Sequence, residues 1–401
     1  MIKNVVGNSL CSGCGACTNV TPERLEMKLD NTGYLRPSGN LSLIPTVDLE
    51  EFCPGLVISR PTAEEGVMKD AIWGNIAQKG VCFSTDEKVR FKASSGGGVT
   101  GLCSYLLESK TVAGVLHVGV KHGTLLELEL KVSTSVEEVL HNSGSRYAPS
   151  APLENILSIV DGFDGTLAFV GKPCDVSALR LLQNSLPSLK RIELLISFMC
   201  AGVPSMEGNL KLLSHMGVDQ KDLSSFKYRG DGWPGYACAT KKNGEEVKLT
   251  YNESWGKVLN RFLQHRCKIC VDGIGESADI VFADAWDGDS KGFPDFSERV
   301  GKSLFIARTR LGASVFTDAS STGYLSFDDF DLSSLDKIQP FQHYRKVTAF
   351  SRLLGHRFVF GAVTRVNHMG MFKLFLVGGL AKNIKAFLGS LSRAYRVKRD
   401  A

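Results

Sequence analysis

The chain has 401 residues, 43% of them hydrophobic, with 11 cysteines and a formal net charge of +5, enough apolar material for one large core and two or three domains. The charge is mild, and no nucleic-acid partner is expected. With no basic, apolar, small-residue leader over Met1 to Leu10, the expected compartment is a reducing cytoplasm, where clustered cysteines serve as metal ligands or redox centres rather than as disulfides.

The first element is Cys11-x-x-Cys14-x-x-Cys17. Thiolates at this spacing, separated by small residues, wrap a tight loop around an iron-sulfur cluster and aim backbone N–H groups at its sulfides. The next Cys-Pro dipeptide is Cys53-Pro54, so one cluster held by Cys11, Cys14, Cys17 and Cys53 is the economical reading of residues 1–60. Residues 61–75 are polar and turn-like and read as a linker. Ser94-Ser95-Gly96-Gly97-Gly98-Val99-Thr100 then opens a helix through Glu108, followed by a strand from Val112 to Val120. Serine and glycine at a helix start suit an anion, because free N–H groups and the helix dipole favour phosphate, but the same pattern also serves as a plain cap. A second strand and a short helix lead to Asn142-Ser143-Gly144-Ser145-Arg146-Tyr147, a turn carrying a cation and an aromatic ring.

From 165 to 215 one geometry occurs twice. The strand Gly165 to Gly171 runs into Lys172-Pro173-Cys174, with Asp175 as cap of a helix through Asn184, and the strand Arg191 to Phe198 ends at Met199-Cys200 before a helix near Pro204. In a parallel sheet Cys174 and Cys200 then share the carboxyl edge, where ligands bind. Cys267-x-x-Cys270 alone is ambiguous between zinc, a redox dithiol and a cluster. A second cluster on Cys174, Cys200, Cys267 and Cys270 uses every remaining clustered cysteine, and the isolated Cys82, Cys103 and Cys238 are read as core. From Phe341 onward there are 12 Lys or Arg and one acid, Asp400, which makes the tail about +11 and the first 340 residues about −6. The tail reads as basic amphipathic helix too interrupted to span a bilayer, either packed with a solvated basic face or touching a membrane surface or an acidic partner.

Together, the cysteine run, Ser94 to Gly97, Gly144 to Tyr147, Gly171-Lys172-Pro173-Cys174, Cys200-Ala201-Gly202-Val203-Pro204, Phe226 to Pro234, Cys267-x-x-Cys270 and Ala278-Asp279-Ile280 resemble the family of coenzyme F420 hydrogenase/dehydrogenase beta subunits. That family includes plant 7-hydroxymethyl chlorophyll reductases and relatives from bacterial polysaccharide loci. The resemblance covers roughly residues 5 to 310. It implies FAD beside 4Fe-4S clusters in an α/β fold of mixed or parallel sheet, with an N-terminal ferredoxin-like segment (1–60), a flavin-binding domain (76–150) and an α/β domain with the second cluster (151–330), to which the charge pattern adds a basic helical tail (331–401).

Carried over by residue, Ser94, Ser95, Gly96, Gly97, Thr100, Ser145, Arg146 and Tyr147 would line the flavin site, and the eight cysteines would hold two 4Fe-4S clusters. Lys227, Tyr228 and Arg229, with Trp233, form a cationic and aromatic group that suits an acidic or planar substrate at the catalytic site, or equally a turn packed on the sheet. Lys172 is read as a cluster-tuning charge or a surface lysine, and Asp272, Asp279 and Asp284 as proton-transfer groups or as caps. Arg146 stands where the family commonly has lysine, and Phe282 to Trp286 replaces a Gly-Asp-x-Trp pattern. The expected function is transfer of electrons from reduced F420 or ferredoxin, through flavin and clusters, to a small-molecule or glycan-pathway acceptor. A non-catalytic subunit of a larger dehydrogenase and a zinc-binding structural protein are the alternatives, and the chain could form a homo-oligomer.

Overall fold

The computed structural model describes residues 2–20, 25–40, 46–288 and 295–400. The protein is mixed α/β around one eight-stranded sheet. Its strands are β1 (Gln78–Ser84), β2 (Gly114–Val120), β3 (Leu128–Ser133), β4 (Leu167–Gly171), β5 (Ile192–Phe198), β6 (Ile280–Asp284), β7 (Ser303–Ala307) and β8 (Leu325–Asp328). They lie in the order β8-β1-β7-β6-β5-β4-β2-β3.

The four middle strands β6, β5, β4 and β2 are mutually parallel, pairing Ile196 with Ile280, Phe169 with Leu195 and Val115 with Ala168. β7, β1 and β8 continue the sheet antiparallel on one side and β3 on the other. Parallel strands are covered on both faces, which is why β4 and β5 are nearly continuous apolar runs. Alternation then sorts their side chains. Phe169 and Leu195 join Val176, Leu179 and Leu182 of helix Pro173–Ser185 on one face. Ala168, Leu194 and Ile196 join Leu102 and Leu106 of helix Gly98–Glu108 and Phe316 of helix Arg310–Ser321 on the other. The sheet therefore draws strands from both the 76–150 and the 151–330 segments.

The N-terminal segment is built onto this frame. Asn19 donates to the Leu153 carbonyl at 2.7 Å and accepts from the Leu157 amide at 3.0 Å, while Leu49 and Phe52 share the core that contains Phe169. Residues 61–75, expected as a linker, contain instead part of a short hairpin, Met68–Asp70 with Gly74–Ile76. The Asp70 carboxylate accepts from the Ile72 and Trp73 amides, and Trp73 is buried against Ile274 and Val281. A second, separate antiparallel sheet has three strands, Leu223–Lys227, Ala237–Lys241 and Glu246–Leu249. Cys82 and Cys103 are buried, and Cys238 is half-buried.

The tail folds into helices Pro340–Val347, Ala349–Phe360, Met371–Gly378 and Leu380–Arg399. Between them, Arg365–Asn367 pairs in parallel with Val57–Ser59, which ties the tail to the N-terminal segment.

Candidate cofactor site

The carboxyl ends of β2, β4, β5 and β6 open into a cavity of about 740 Å³, within the range of about 300 to 1,000 Å³ usual for small-molecule and cofactor sites. Ser303, at the start of antiparallel β7, lies on the same edge because it pairs with Asp284. The glycine-rich loop sits directly on it. The Ser303 hydroxyl accepts from the Gly96 amide at 3.0 Å and the Gly98 amide at 3.4 Å, and the Ser95 hydroxyl donates to the Lys302 carbonyl at 2.8 Å.

Packing requires two of the glycines and backbone conformation the third. A Cβ on Gly96 would lie 2.6 Å from the Ser303 nitrogen, one on Gly98 would lie 2.7 Å from the Phe282 ring, and Gly97 has φ +77°. What faces the cavity from this loop is Ser94, Ser95, Gly97, Val99 and Thr100; Gly96 stays behind the wall.

Ser145, Arg146 and Tyr147 form the opposite lip, where the Ser145 amide donates to the Ser94 hydroxyl. Arg146 gives weak hydrogen bonds to the carbonyls of Ser145 and Asn142, at 3.3 and 3.5 Å. Its Nε is buried without a partner, and among the described residues no carboxylate pairs with it. Burial lowers its affinity for its proton. A desolvated, uncompensated guanidinium facing a cavity is a site for an anion. Tyr147 packs on Trp255, ring centroids 4.7 Å apart, and both line the cavity.

Lys227, Tyr228 and Arg229 part company in the fold. Lys227 is exposed and paired with Asp231 at 2.6 Å, while Tyr228 is buried and donates to Asn209 Oδ1 at 2.6 Å. Arg229 alone faces the cavity. Both its terminal nitrogens bond the Asp284 carboxylate at 2.9 Å. Burial opposes its charge, and Asp284, with Tyr147 and Tyr251 adding to it, holds the guanidinium protonated well above its usual range. The guanidinium also sits 4.8 Å from the Tyr251 ring centroid, beside Trp286, which stacks on Trp233 at 5.0 Å.

Asp284 thus serves Arg229, and it also accepts from Trp233 Nε1 at 2.8 Å. Asp272 accepts from the Ile274 and Glu276 amides, and Asp279 from the Leu195 amide, Arg180 and Thr309. Trp286, from the stretch that departs from the Gly-Asp-x-Trp pattern, also lines the cavity, as do Tyr251, Trp255 and His117, which escape a reading of the sequence. None carries a local signal, and strands far apart in the chain bring them to one edge.

Lys172 is not a surface residue. It is buried at the cavity floor, with Nζ 2.8 Å from both Ser150 Oγ and Asp175 Oδ2. Burial works against its charge, but Asp175 and the Cys174 thiol more than compensate and hold the ammonium form well above its usual range. Asp175 occupies the third position of its helix and accepts from the Lys172 amide at 3.1 Å, closing the first turn from inside.

The cysteines fall into two neighbouring groups. Burial pushes the Cys14 thiol up to about 12, with Asp175, Cys53 and Cys11 adding to it, and Cys17 is raised by burial and then by Cys14, Cys11 and Cys53. Cys200 is pushed up to about 12 by burial and then by Cys267, with Cys270 contributing. Cys174, on the first turn of its helix, is raised by burial and Asp175, and feels both Cys200 and Cys14. It stands between the groups.

The second group is gripped from behind. Arg345 donates to the carbonyls of Cys200 at 2.6 Å and Cys267 at 3.2 Å, and Arg352 to those of Lys268 at 2.7 Å and Cys270 at 3.2 Å. Arg266 joins the two groups by donating to the Pro54 carbonyl at 2.8 Å. Among the described residues, no three His, Cys, Asp or Glu side chains are placed to hold a single metal ion.

A cofactor-sized cavity thus lies at the carboxyl edge of the parallel strands, with thiols gathered beside it. Residues 81–158 match the N-terminal part, and residues 164–333 the C-terminal part, of the coenzyme F420 hydrogenase/dehydrogenase beta subunit. The chain belongs to that family. It is 25% identical to an uncharacterized protein of Methanocaldococcus jannaschii over 84% of this chain and 94% of that one. It is 24% identical to one of the subunits of the F(420)H(2) dehydrogenase of Methanosarcina mazei, over 79% and 84%. With the beta subunit of the coenzyme F420 hydrogenase of Methanococcus voltae it shares 27% identity, over 66% and 89%. Its fold is similar to a chain in the F420-reducing [NiFe] hydrogenase complex of Methanosarcina barkeri, with TM-score 0.56, 19% identity and coverage of 74% of this chain and 98% of that one.

Proposed function

We propose that the protein is a cytoplasmic FAD and 4Fe-4S oxidoreductase that takes electrons from reduced F420 or ferredoxin and delivers them to an organic acceptor, a small molecule or a glycan-pathway intermediate. The observation that carries this reading is the buried, unpaired Arg146 guanidinium in a cavity that borders Cys200. Arg146, with the hydroxyls of Ser94, Ser95 and Thr100, would hold the anionic part of FAD, and the flat faces of Tyr147 and Trp255 would hold its rings. Cys11, Cys14, Cys17 and Cys53 would bind one cluster of a ferredoxin-like segment, and Cys174, Cys200, Cys267 and Cys270 the other. When bound, a flavin accepts two electrons together and clusters carry them singly.

The chain's own residues fix where this happens. Lys172 keeps a positive charge at the cavity floor next to Cys174, and Tyr251 and Trp286, beside the Arg229–Asp284 pair, present an aromatic wall where a planar donor would lie. Lys227 and Tyr228 take no part in that contact. The relatives named as subunits of hydrogenases and dehydrogenases favour a second reading, an electron-transfer subunit that docks on a larger enzyme.

Anaerobic purification tests the proposal. About eight iron and eight acid-labile sulfide per chain are expected for two four-cysteine clusters, with FAD released on denaturation. Cys14→Ser and Cys270→Ser should each remove about half the iron. Stoichiometric zinc without sulfide would refute the cluster reading. Turnover of F420 or ferredoxin by the isolated chain separates the enzyme from the docking subunit.

A further inference from the structure

Helix Leu380–Arg399 has three faces. Asn383, Ala386, Ser390 and Ala394 are buried against helix Ala349–Phe360. There Gly355 permits close approach, since a Cβ on it would lie 2.7 Å from the Phe387 carbonyl oxygen. The next face carries Leu380, Ile384, Leu388 and Tyr395, which are 67, 50, 55 and 61% exposed. The third carries Lys382, Lys385 and Arg396.

Neighbouring helices extend the apolar face. Phe358, 68% exposed, meets the Phe387 ring at 5.7 Å, and Phe372, 66% exposed, stacks on Phe375. A contiguous exposed apolar surface rimmed by charge marks a contact site. No single helix among the described residues is long and apolar enough to cross a membrane, and Met371–Gly378 and Leu380–Arg399, which meet at a bend of 112°, reach that length and apolarity only as a pair.

We propose that this face docks on an anionic lipid bilayer, with the apolar stripe entering the headgroup boundary and the lysines and arginines meeting lipid phosphates. Charge selects the occupant. From residue 341 to 399 the chain has 12 Lys or Arg and no acid, and among the described residues Lys373, Lys382, Lys385 and Arg396 have no carboxylate partner. An apolar helical face flanked by basic residues is the pattern of an interfacial helix, and each basic residue near an anionic surface adds attraction. A second copy of the chain would bring like charge against like charge, which opposes self-association through this face.

The test uses the full chain, purified anaerobically, in flotation with phosphatidylcholine vesicles with and without phosphatidylglycerol. Flotation is expected with the anionic vesicles, little without phosphatidylglycerol, and less as salt rises. Ile384→Asp combined with Leu388→Asp, at exposed positions, should weaken binding about tenfold or more with flavin and iron content unchanged. Lys382→Gln or Lys385→Gln should each weaken it about fivefold, on the anionic vesicles only. No flotation of the parent chain, or equal flotation of the Ile384→Asp, Leu388→Asp variant, would overturn the proposal. So would a dimer in light scattering that this variant dissolves, which would assign the stripe to a second copy.

Discussion

Arg146 is the residue on which the flavin reading turns, because its charge has no carboxylate and its Nε no partner. Arg146→Gln should weaken flavin binding about ten- to a hundredfold, the range for a charge-assisted bond of about 1.5 to 3 kcal/mol. Arg146→Lys should weaken it less, and flavin fluorescence on dilution measures both. Arg229 is the contrasting case, a buried cation fully matched by Asp284. Asp284→Ala leaves it uncompensated and should cost about 3 kcal/mol or more in urea unfolding, whereas Lys227→Ala, at an exposed pair, should cost under about 1 kcal/mol. The sequence placed Lys227, Tyr228 and Arg229 together because they are adjacent. Successive side chains leaving a strand point to opposite sides, and only the partners Asp231, Asn209 and Asp284 decide which one reaches the cavity. His356 adds a pH dependence. Burial lowers it to about 3, with His265 and Arg266 contributing, so the folded chain holds it neutral while the unfolded chain protonates it near pH 6.5. Its contribution to stability is present above about pH 6.5 and is lost as pH falls toward 3. His356→Asn should flatten the urea midpoint against pH across that window.

At the level of elements, the strands ending in Lys172-Pro173-Cys174 and at Cys200 were legible because a parallel, doubly covered strand is an uninterrupted apolar run bounded by turn residues, and the observed β4 and β5 fall inside those bounds. The helix after Gly97 was legible too, but what its glycines serve was not. An anion site and a tight seat on a neighbouring strand both require the absence of a Cβ, and the sequence does not distinguish them. Gly96→Ala decides between them: it should destabilise the fold by about 1 to 3 kcal/mol through overpacking against β7, measured by thermal unfolding of the flavin-free protein. A loss of flavin with unchanged stability would return Gly96 to the ligand. The hairpin within 68–76 was missed because its anchor is long-range: Trp73 Nε1 donates to Asp336 Oδ1 at 3.2 Å, and nothing near Trp73 announces a partner so far along the chain.

The molecule as a whole is less divisible than its sequence suggests. The reading of the Cys11 run rests on local spacing alone, three thiols and the turns between them. The second group needed the sheet to bring Cys174 and Cys200 to one edge, and the helices that hold its loop come from the tail. Ser390 Oγ donates to the Arg352 carbonyl at 2.6 Å, so helix Leu380–Arg399 props the arginine that grips Lys268 and Cys270. On the proposed two-cluster assignment, a chain ending at Gly379 should keep the N-terminal cluster and lose the other, with iron per chain falling by about half. Retention of all the iron would show that the arginines need no support. This prop also sets a reach. The stripe of Ile384 and Leu388 lies on the same helix, about 10 Å in diameter, whose inner side supports the cysteine loop. If the proposed cluster and the proposed docking both hold, the cysteine loop reached through Arg352 would lie on the lipid side of the molecule, and a carrier dissolved in the bilayer, or a glycan tethered to it, would be served without crossing bulk water. An acceptor embedded in anionic vesicles should then be reduced faster than its water-soluble analogue by the parent chain, and at equal rates by the Ile384→Asp, Leu388→Asp variant.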